Sequence, residues 1–271
     1  MKKFTKFIVL IILLVLAFIT YLSTIGFETK RFNNQIESKI KKINKNLLIE
    51  LNEVKIILEP FNLKLKIKTL GPKIRNQNNV IEIENIKMQI SLRSLIKDQF
   101  SIENLEISTK AIIIKDLISF IRESYKNPEL YILETIIKKG YLIADLKFEF
   151  DEDGNIKDNY EINGFIKDTH LGILKKYNID KLNLIFSLKK NDLRFNDIIL
   201  SLNDSNFSSD KIHIKDLKNK FLVEGDFRNK KYYLNNQFLE LFTKSFTQKL
   251  NVEKIKFSSK NIFSFKFNKK F

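Results

Sequence analysis

The stretch Ile81-Glu82-Ile83-Glu84-Asn85-Ile86-Lys87-Met88-Gln89-Ile90-Ser91-Leu92-Arg93 decides the fold class. Ile81 and Ile83 alternate with Glu82 and Glu84, and Ile86, Met88, Ile90 and Leu92 alternate with Lys87, Gln89, Ser91 and Arg93. A period of two sends successive side chains to opposite sides of a pleated strand, so this stretch reads as a strand with one apolar and one wet face. The same reading extends in both directions. Leu63, Leu65 and Ile67 alternate with Lys64, Lys66 and Lys68, and Gly71-Pro72 follows as a turn. Ile102, Leu105 and Ile107 continue the pattern, followed by Ile112-Ile113-Ile114. Strands resume over Leu142–Phe150, turn at Asp151–Gly154 and run on through Tyr160–Lys167. Further runs are Leu182, Leu184, Phe186 and Leu188, then Ile198, Leu200 and Leu202, then Ile212 and Ile214, Phe221–Gly225, and Phe263, Phe265 and Phe267.

Few helices interrupt this series. Asp116–Lys126 reads as a helix capped by Asp116, Leu171–Tyr177 as a short helix and Asn236–Leu250 as a longer one. Leu130–Lys138 fits either helix or strand. Consecutive strands with short turns pair as an antiparallel meander. About a dozen strands at ~4.8 Å spacing make a sheet roughly 60 Å long, with one apolar face to cover. Either the sheet closes on itself as a sandwich or barrel, or it curls into an open trough; periodicity alone favours the closed form, because large exposed apolar patches are rare.

The amino terminus obeys a different rule. Residues 1–6 are a basic leader with Lys2, Lys3 and Lys6, and no charge occurs between Phe7 and Phe27. As a helix, residues 7–27 span roughly 30 Å, the thickness of a bilayer core, with Tyr21 near the far end as an interface anchor. A cleaved signal peptide shares this layout, but the run is long for one and no Ala-x-Ala site follows, so an uncleaved anchor is expected. Lys30, Arg31, Lys39, Lys41 and Lys42 follow the span, so Lys/Arg counting does not orient it. The export-signal layout places the bulk of the chain outside the cytoplasm. In residues 28–47, Phe32, Ile36, Ile40, Ile43 and Leu47 recur at helical spacing, giving an amphipathic juxtamembrane helix. Residues 48–271 form the β-rich domain.

The composition narrows the chemistry. The 48 Lys and Arg against 32 Asp and Glu give +16, but the lysines alternate with apolar residues along the whole chain and read as a solvated face. There is no Cys, which removes disulfides and thiol or zinc-thiolate sites. His213, between Ile212 and Ile214, reads as a surface residue on the polar face, and His170 as a turn residue at a strand end. Asp151-Glu152-Asp153-Gly154-Asn155 lacks the Gly and Glu positions of a calcium loop and reads as a hairpin turn. No nucleophile elbow, phosphate loop or dinucleotide fingerprint is present, nor a nucleic-acid-binding signature. The expectation is a protein that is not an enzyme, holds no cofactor and does not bind nucleic acid.

Several local patterns resemble the amino-terminal portion of the AsmA-like and TamB-like envelope proteins of diderm bacteria. They are Leu70-Gly71-Pro72 ahead of Ile81–Ile86, then Ile90–Ile96, Ile102–Ile107 and Ile112–Lys115; Lys139-Gly140 ahead of Phe148–Ile156 and Tyr160–Gly164; and a looser echo at Phe221–Gly225. Their order behind an amino-terminal anchor carries the likeness. The resemblance implies a single-pass inner-membrane helix leading into a curled, open antiparallel groove in the periplasm. Phospholipid acyl chains would be bound there, or passed between inner and outer membranes. The groove would be lined by Leu63, Leu65, Ile67, Ile86, Met88, Ile90, Phe148, Phe150, Leu182, Leu184, Phe186 and Leu188. The family carries no catalytic residues to transfer. Its members are commonly far longer, so the chain reads as a fragment, a short member or a unit that joins partners edge to edge. The alternative function is an envelope scaffold that holds another envelope protein through its sheet edge.

Overall fold

The computed structural model describes residues 2–30, 33–43, 45–77, 79–93, 102–125, 127–151, 153–173, 177–202, 205–234 and 255–269. Helix α1 (Lys2–Thr24) takes in the charge-free run as far as Thr24 and starts within the basic leader. Its stretch Phe4–Thr24 is long and apolar enough to cross a membrane, and none of it is buried against the rest of the protein. The hydroxyls of Thr20, Ser23 and Thr24 donate to the carbonyls of Leu16, Ile19 and Thr20, so they carry no unmet hydrogen bond in an apolar setting. The helix stops at Gly26, whose N–H bonds the Tyr21 carbonyl at φ +71°, a conformation that favours glycine. Phe27, expected as the last residue of the span, instead opens strand β1 (Phe27–Thr29).

Helix α2 (Asn33–Ile43) is shorter than the expected 28–47 and lies between β1 and β2 (Leu47–Glu50). Asn33 at its start donates to the Leu51 and Asn52 carbonyls. Strands β3 (Val54–Glu59), β4 (Lys64–Leu70), β5 (Lys73–Asn76), β6 (Asn79–Ser91), β7 (Ile102–Thr109) and β8 (Ile112–Ile113) follow. Next come helices α3 (Ile114–Ser124) and α4 (Pro128–Ile136). The chain then runs through β9 (Ile137–Glu149), β10 (Glu161–Ile173), β11 (Tyr177–Lys189), β12 (Asp192–Leu202), β13 (Ser205–Leu217), β14 (Lys220–Leu234) and β15 (Ile255–Asn268).

The hydrogen-bonded order is β1-β3-β4-β6-β7-β9-β10-β11-β12-β13-β14-β15, antiparallel over β1-β3-β4-β6-β7-β9 and over β11-β12-β13-β14-β15. Strands β2, β5 and β8 lie off this path. Among the described residues no pairing joins β1 to β15, so the sheet is not closed into a barrel. The protein is mainly β, with an amino-terminal apolar helix, one long antiparallel sheet and a few short helices. It divides into two compact units: residues 1–112, 119–126 and 144–162, and residues 113–118, 127–143 and 163–271.

Several local expectations are corrected. Asp116 sits inside the first turn of α3 and not at its cap, and the helix ends at Ser124. The ambiguous segment Leu130–Lys138 splits, helix to Ile136 and strand from Ile137. Leu171 to Ile173 belong to β10 and Tyr177 opens β11, so no short helix forms there among the described residues. The expected helix Asn236–Leu250 lies outside the described residues.

Ile81–Ser91 of the opening stretch lies in the single strand β6, where two apolar runs of opposite parity were legible, and Leu92 and Arg93 fall beyond its end. Ile83 pairs with Thr109, Asn85 with Ser108 and Ile86 with Ile107, so one extra residue on β6 makes a bulge. The bulge keeps both runs facing the same way: Ile81, Ile83, Ile86 and Ile90 are all buried. On its other edge β6 pairs with β5 over Asn79–Glu82 and with β4 over Asn85–Ser91. The close approach of Gly26 to β3 has a measurable consequence. A Cβ there would lie 2.3 Å from the Ile56 carbonyl oxygen. Gly26→Ala is expected to destabilise the anchored end of the sheet by about 2 kcal/mol, read as a lower melting midpoint in mild detergent by far-UV circular dichroism.

Candidate functional site

The feature that could meet a ligand is the apolar sheet face, and register builds it. In the first unit, one row across neighbouring strands is Phe27, Ile56, Ile67, Met88, Leu105 and Phe148. The next row is Val54, Thr69, Ile86, Ile107 and Leu146, and a third begins Leu58, Leu65, Ile90 and Ile102. Directly opposed side chains sit roughly 5 Å apart, so each row is continuous contact, apolar but for the buried Thr69. Val54, Ile56, Ile67 and Ile90 form a buried cluster, with Leu65 and Met88 packed against it. Towards β7 and β9 the face opens, and Leu105 and Phe148 are only half-buried.

The second unit repeats the plan with less cover. Phe186, Phe195, Ile212, Gly225 and Phe263 form one row, and Leu188, Leu193, Ile214, Val223 and Phe265 the next. Gly225 leaves room for the Phe263 ring, since a Cβ would lie 2.9 Å from it. Within β11–β15 only Ile198, Phe207 and Val223 are buried among the described apolar residues. Phe265 is 52% exposed and Phe267 39%. The face is therefore apolar and partly uncovered.

The expected lining residues divide by this geometry. Leu65, Ile67, Ile86, Met88, Ile90 and Phe148 share one face of the first unit, where Ile67, Ile86 and Ile90 are buried supports. Leu184, Phe186 and Leu188 lie half-buried on β11, and Leu182 adjoins a register shift beside Lys181, whose φ is +52°. Leu63 stands apart: it occupies the turn before β4 at φ +51° and is exposed. Phe150 lies just past the end of β9 in an isolated bridge to Ile156. Sequence reading passed over Val54–Leu58 because Ile56-Ile57-Leu58 breaks the alternation, and over Phe195 because Asn191–Asp197 is mostly polar. Their partners in register supply the missing signal.

The opposite face is wet and cross-linked by charge. Lys64 meets Glu103 at 2.7 Å, Lys66 pairs with Glu59, and Lys87 meets Glu106 at 3.6 Å. Gln89 donates to Glu59 and Asn104 to Gln89. In the second unit Arg194 binds Asp192 through two nitrogens at 3.0 and 2.9 Å, and His213 Nε2 lies 2.7 Å from Asp192 Oδ1. His213 is on the polar face as its neighbours require, but it is 9% exposed and therefore buried, not a surface residue. His170 lies within β10, not in a turn, with Nδ1 3.2 Å from the Asp168 carbonyl and Nε2 3.3 Å from Asp180. At the Asp151 turn, Oδ1 accepts the N–H groups of Asp153 and Asn155, and Gly154 has φ +84°. Those bonds, the one from Asn155 foremost, hold the Asp151 carboxyl below its ordinary pKa. The carboxylate closes the hairpin itself.

No protein-family profile, curated protein or solved structure matches the chain.

The Arg194 guanidinium, with His213 next, holds the Asp192 carboxyl down to about 2 from an ordinary 3.8. A depressed carboxyl stabilises the fold above its unfolded value and loses that contribution as pH falls from about 4 towards 2. Asp192→Asn is expected to cost on the order of 1 kcal/mol near neutral pH after allowance for solvent screening. The gap between variant and wild-type melting midpoints should close as the pH is lowered through that window.

Proposed function

We propose that this protein binds phospholipid acyl chains on the apolar face of its sheet and passes them on from the membrane that holds α1. The observation that carries the reading is the pair of rows across β11–β15, apolar in register and only partly covered, with Val223 alone among them buried and Phe265 exposed. Burying a Leu, Ile or Phe side chain gains about 1.5–3 kcal/mol, so rows left partly exposed forgo a share of that gain that an apolar occupant would recover. An acyl chain is a fitting occupant, because its passage through water costs about 0.8 kcal/mol per CH₂. A continuous apolar strip lowers that cost, and the charged opposite face stays in water. The resemblance to AsmA-like and TamB-like envelope proteins supports the same reading. In this reading α1 is an inner-membrane anchor and the sheet lies in the periplasm.

A second reading rests on β15. This 14-residue strand pairs only with β14 among the described residues, and Ile262 on it is 81% exposed. An exposed edge of that length can accept a strand from another envelope protein. In-cell crosslinking from β15 that traps one stoichiometric protein would favour this scaffold role.

The test of lipid binding is mass spectrometry of lipid that co-purifies with the full chain in mild detergent. Wild type should carry phospholipid. Phe186→Glu and Leu188→Glu should reduce it about tenfold while far-UV circular dichroism is unchanged, and Ser187→Glu on the wet face should not. Equal lipid in all four proteins, or none in wild type, would overturn the proposal.

A further inference from the structure

The first unit carries one row of charges in which four lysines meet two acids. Glu28, Lys55, Lys68, Lys87, Glu106 and Lys147 are opposed in register across β1, β3, β4, β6, β7 and β9. Lys55 faces Lys68, and Lys68 faces Lys87. Like charges directly opposite destabilise a sheet. Other lysines of this unit meet acids, Lys64 with Glu103, Lys66 with Glu59, and Lys73 and Lys110 with Glu82, while within the row Lys87 meets Glu106. Among the described residues no carboxylate lies within ion-pair distance of Lys55 or Lys68.

The place of this pair is specific. Glu28, opposite Lys55, is two residues beyond Gly26, where α1 ends against Ile56. Lys55 and Lys68 line an open concavity of about 720 Å³ with Glu28, Lys30, Leu51, Asn52, Glu53 and Leu70. If α1 spans a bilayer, this hollow sits at headgroup depth, where lysine ammonium groups can meet lipid phosphates. Glu28 and Glu53 give the hollow both signs, which matches a zwitterionic headgroup better than a bare anion.

We propose that Lys55 and Lys68 form a site for the phosphodiester of a membrane phospholipid, at the base of the anchor. The site rests on the membrane reading of α1, but does not require acyl chains on the sheet face. A phosphate between the two ammonium groups removes the repulsion that the register imposes.

Native mass spectrometry of the full chain, with added dioleoylphosphatidylethanolamine as probe, tests this. Lys55→Gln/Lys68→Gln should lower retention about tenfold, Lys55→Arg/Lys68→Arg should keep it, and Lys215→Gln/Lys218→Gln, matched in charge, should leave it unchanged. Dioleoylglycerol, which keeps the acyl chains but lacks the phosphate, should be retained equally by wild type and by the Gln pair. Without lipid, Lys68→Gln should raise the melting midpoint, which also shows that the variant folds. Full retention of the phospholipid by the Gln pair, an equal loss of dioleoylglycerol in the Gln pair, or displacement by millimolar inorganic phosphate would each overturn the headgroup assignment. Running Phe186→Glu beside them separates the two proposals: loss there with retention in the Gln pair removes the headgroup site alone, and the reverse removes the sheet-face reading alone.

Discussion

Apolar-to-apolar cross-strand register is the interaction on which the rest of this structure depends. Ile67 opposes Met88, Met88 opposes Leu105 and Leu105 opposes Phe148, while Lys87 opposes Glu106 one residue away on the other face. A slip of one residue would put each lysine into the apolar rows and each isoleucine into water, so register is fixed wherever one face is buried. The buried cluster of Val54, Ile56, Ile67 and Ile90 supplies that penalty in the first unit. The rows of the second unit obey the same registration with only Ile198, Phe207 and Val223 buried in β11–β15 among the described apolar residues.

Keeping one face apolar over strands of up to 15 residues needs correction for twist, and bulges provide it. The extra residue at Glu84–Asn85 preserves the facing of β6. Positive φ at Lys181 and Asp197 accompanies the register shifts between β11 and β12. At the shift between β13 and β14, Asp226 accepts the N–H groups of Asp210 and Lys211, which the broken ladder would otherwise leave unpaired. Its carboxyl is lowered by these bonds and by Arg228 and Lys260, against the desolvation that opposes them most strongly. Charge on the wet face thus stabilises irregularities that keep the dry face continuous.

Much of this was legible in the sequence, because both governing signals are local. The alternation around Ile86–Ile90 and Leu182–Leu188 marks strands, and the charge-free run marks α1. Sequential pairing follows from short connections. What stayed hidden is non-local. The burial of His213 depends on Asp192, on the neighbouring strand, and the end of α1 at Thr24 depends on Gly26 meeting Ile56. The choice between Leu63 as strand and Leu63 as turn needed a backbone angle, and the membership of Val54 and Ile56 in the core needed the register of β3 against β4. The preference for a closed sheet came from a general cost of exposed apolar area; pairing does not close it.

The central claim is that acyl chains occupy the partly covered apolar rows. The chain has no native Cys, so single cysteines at 186, 187, 188 and 189 can each carry one nitroxide cleanly. Relaxation by a phospholipid bearing a second paramagnet in its acyl chain then reads contact directly. The account predicts a period of two, with strong broadening at 186 and 188 and weak broadening at 187 and 189. Equal broadening at all four positions, or none at 186 and 188, would contradict it.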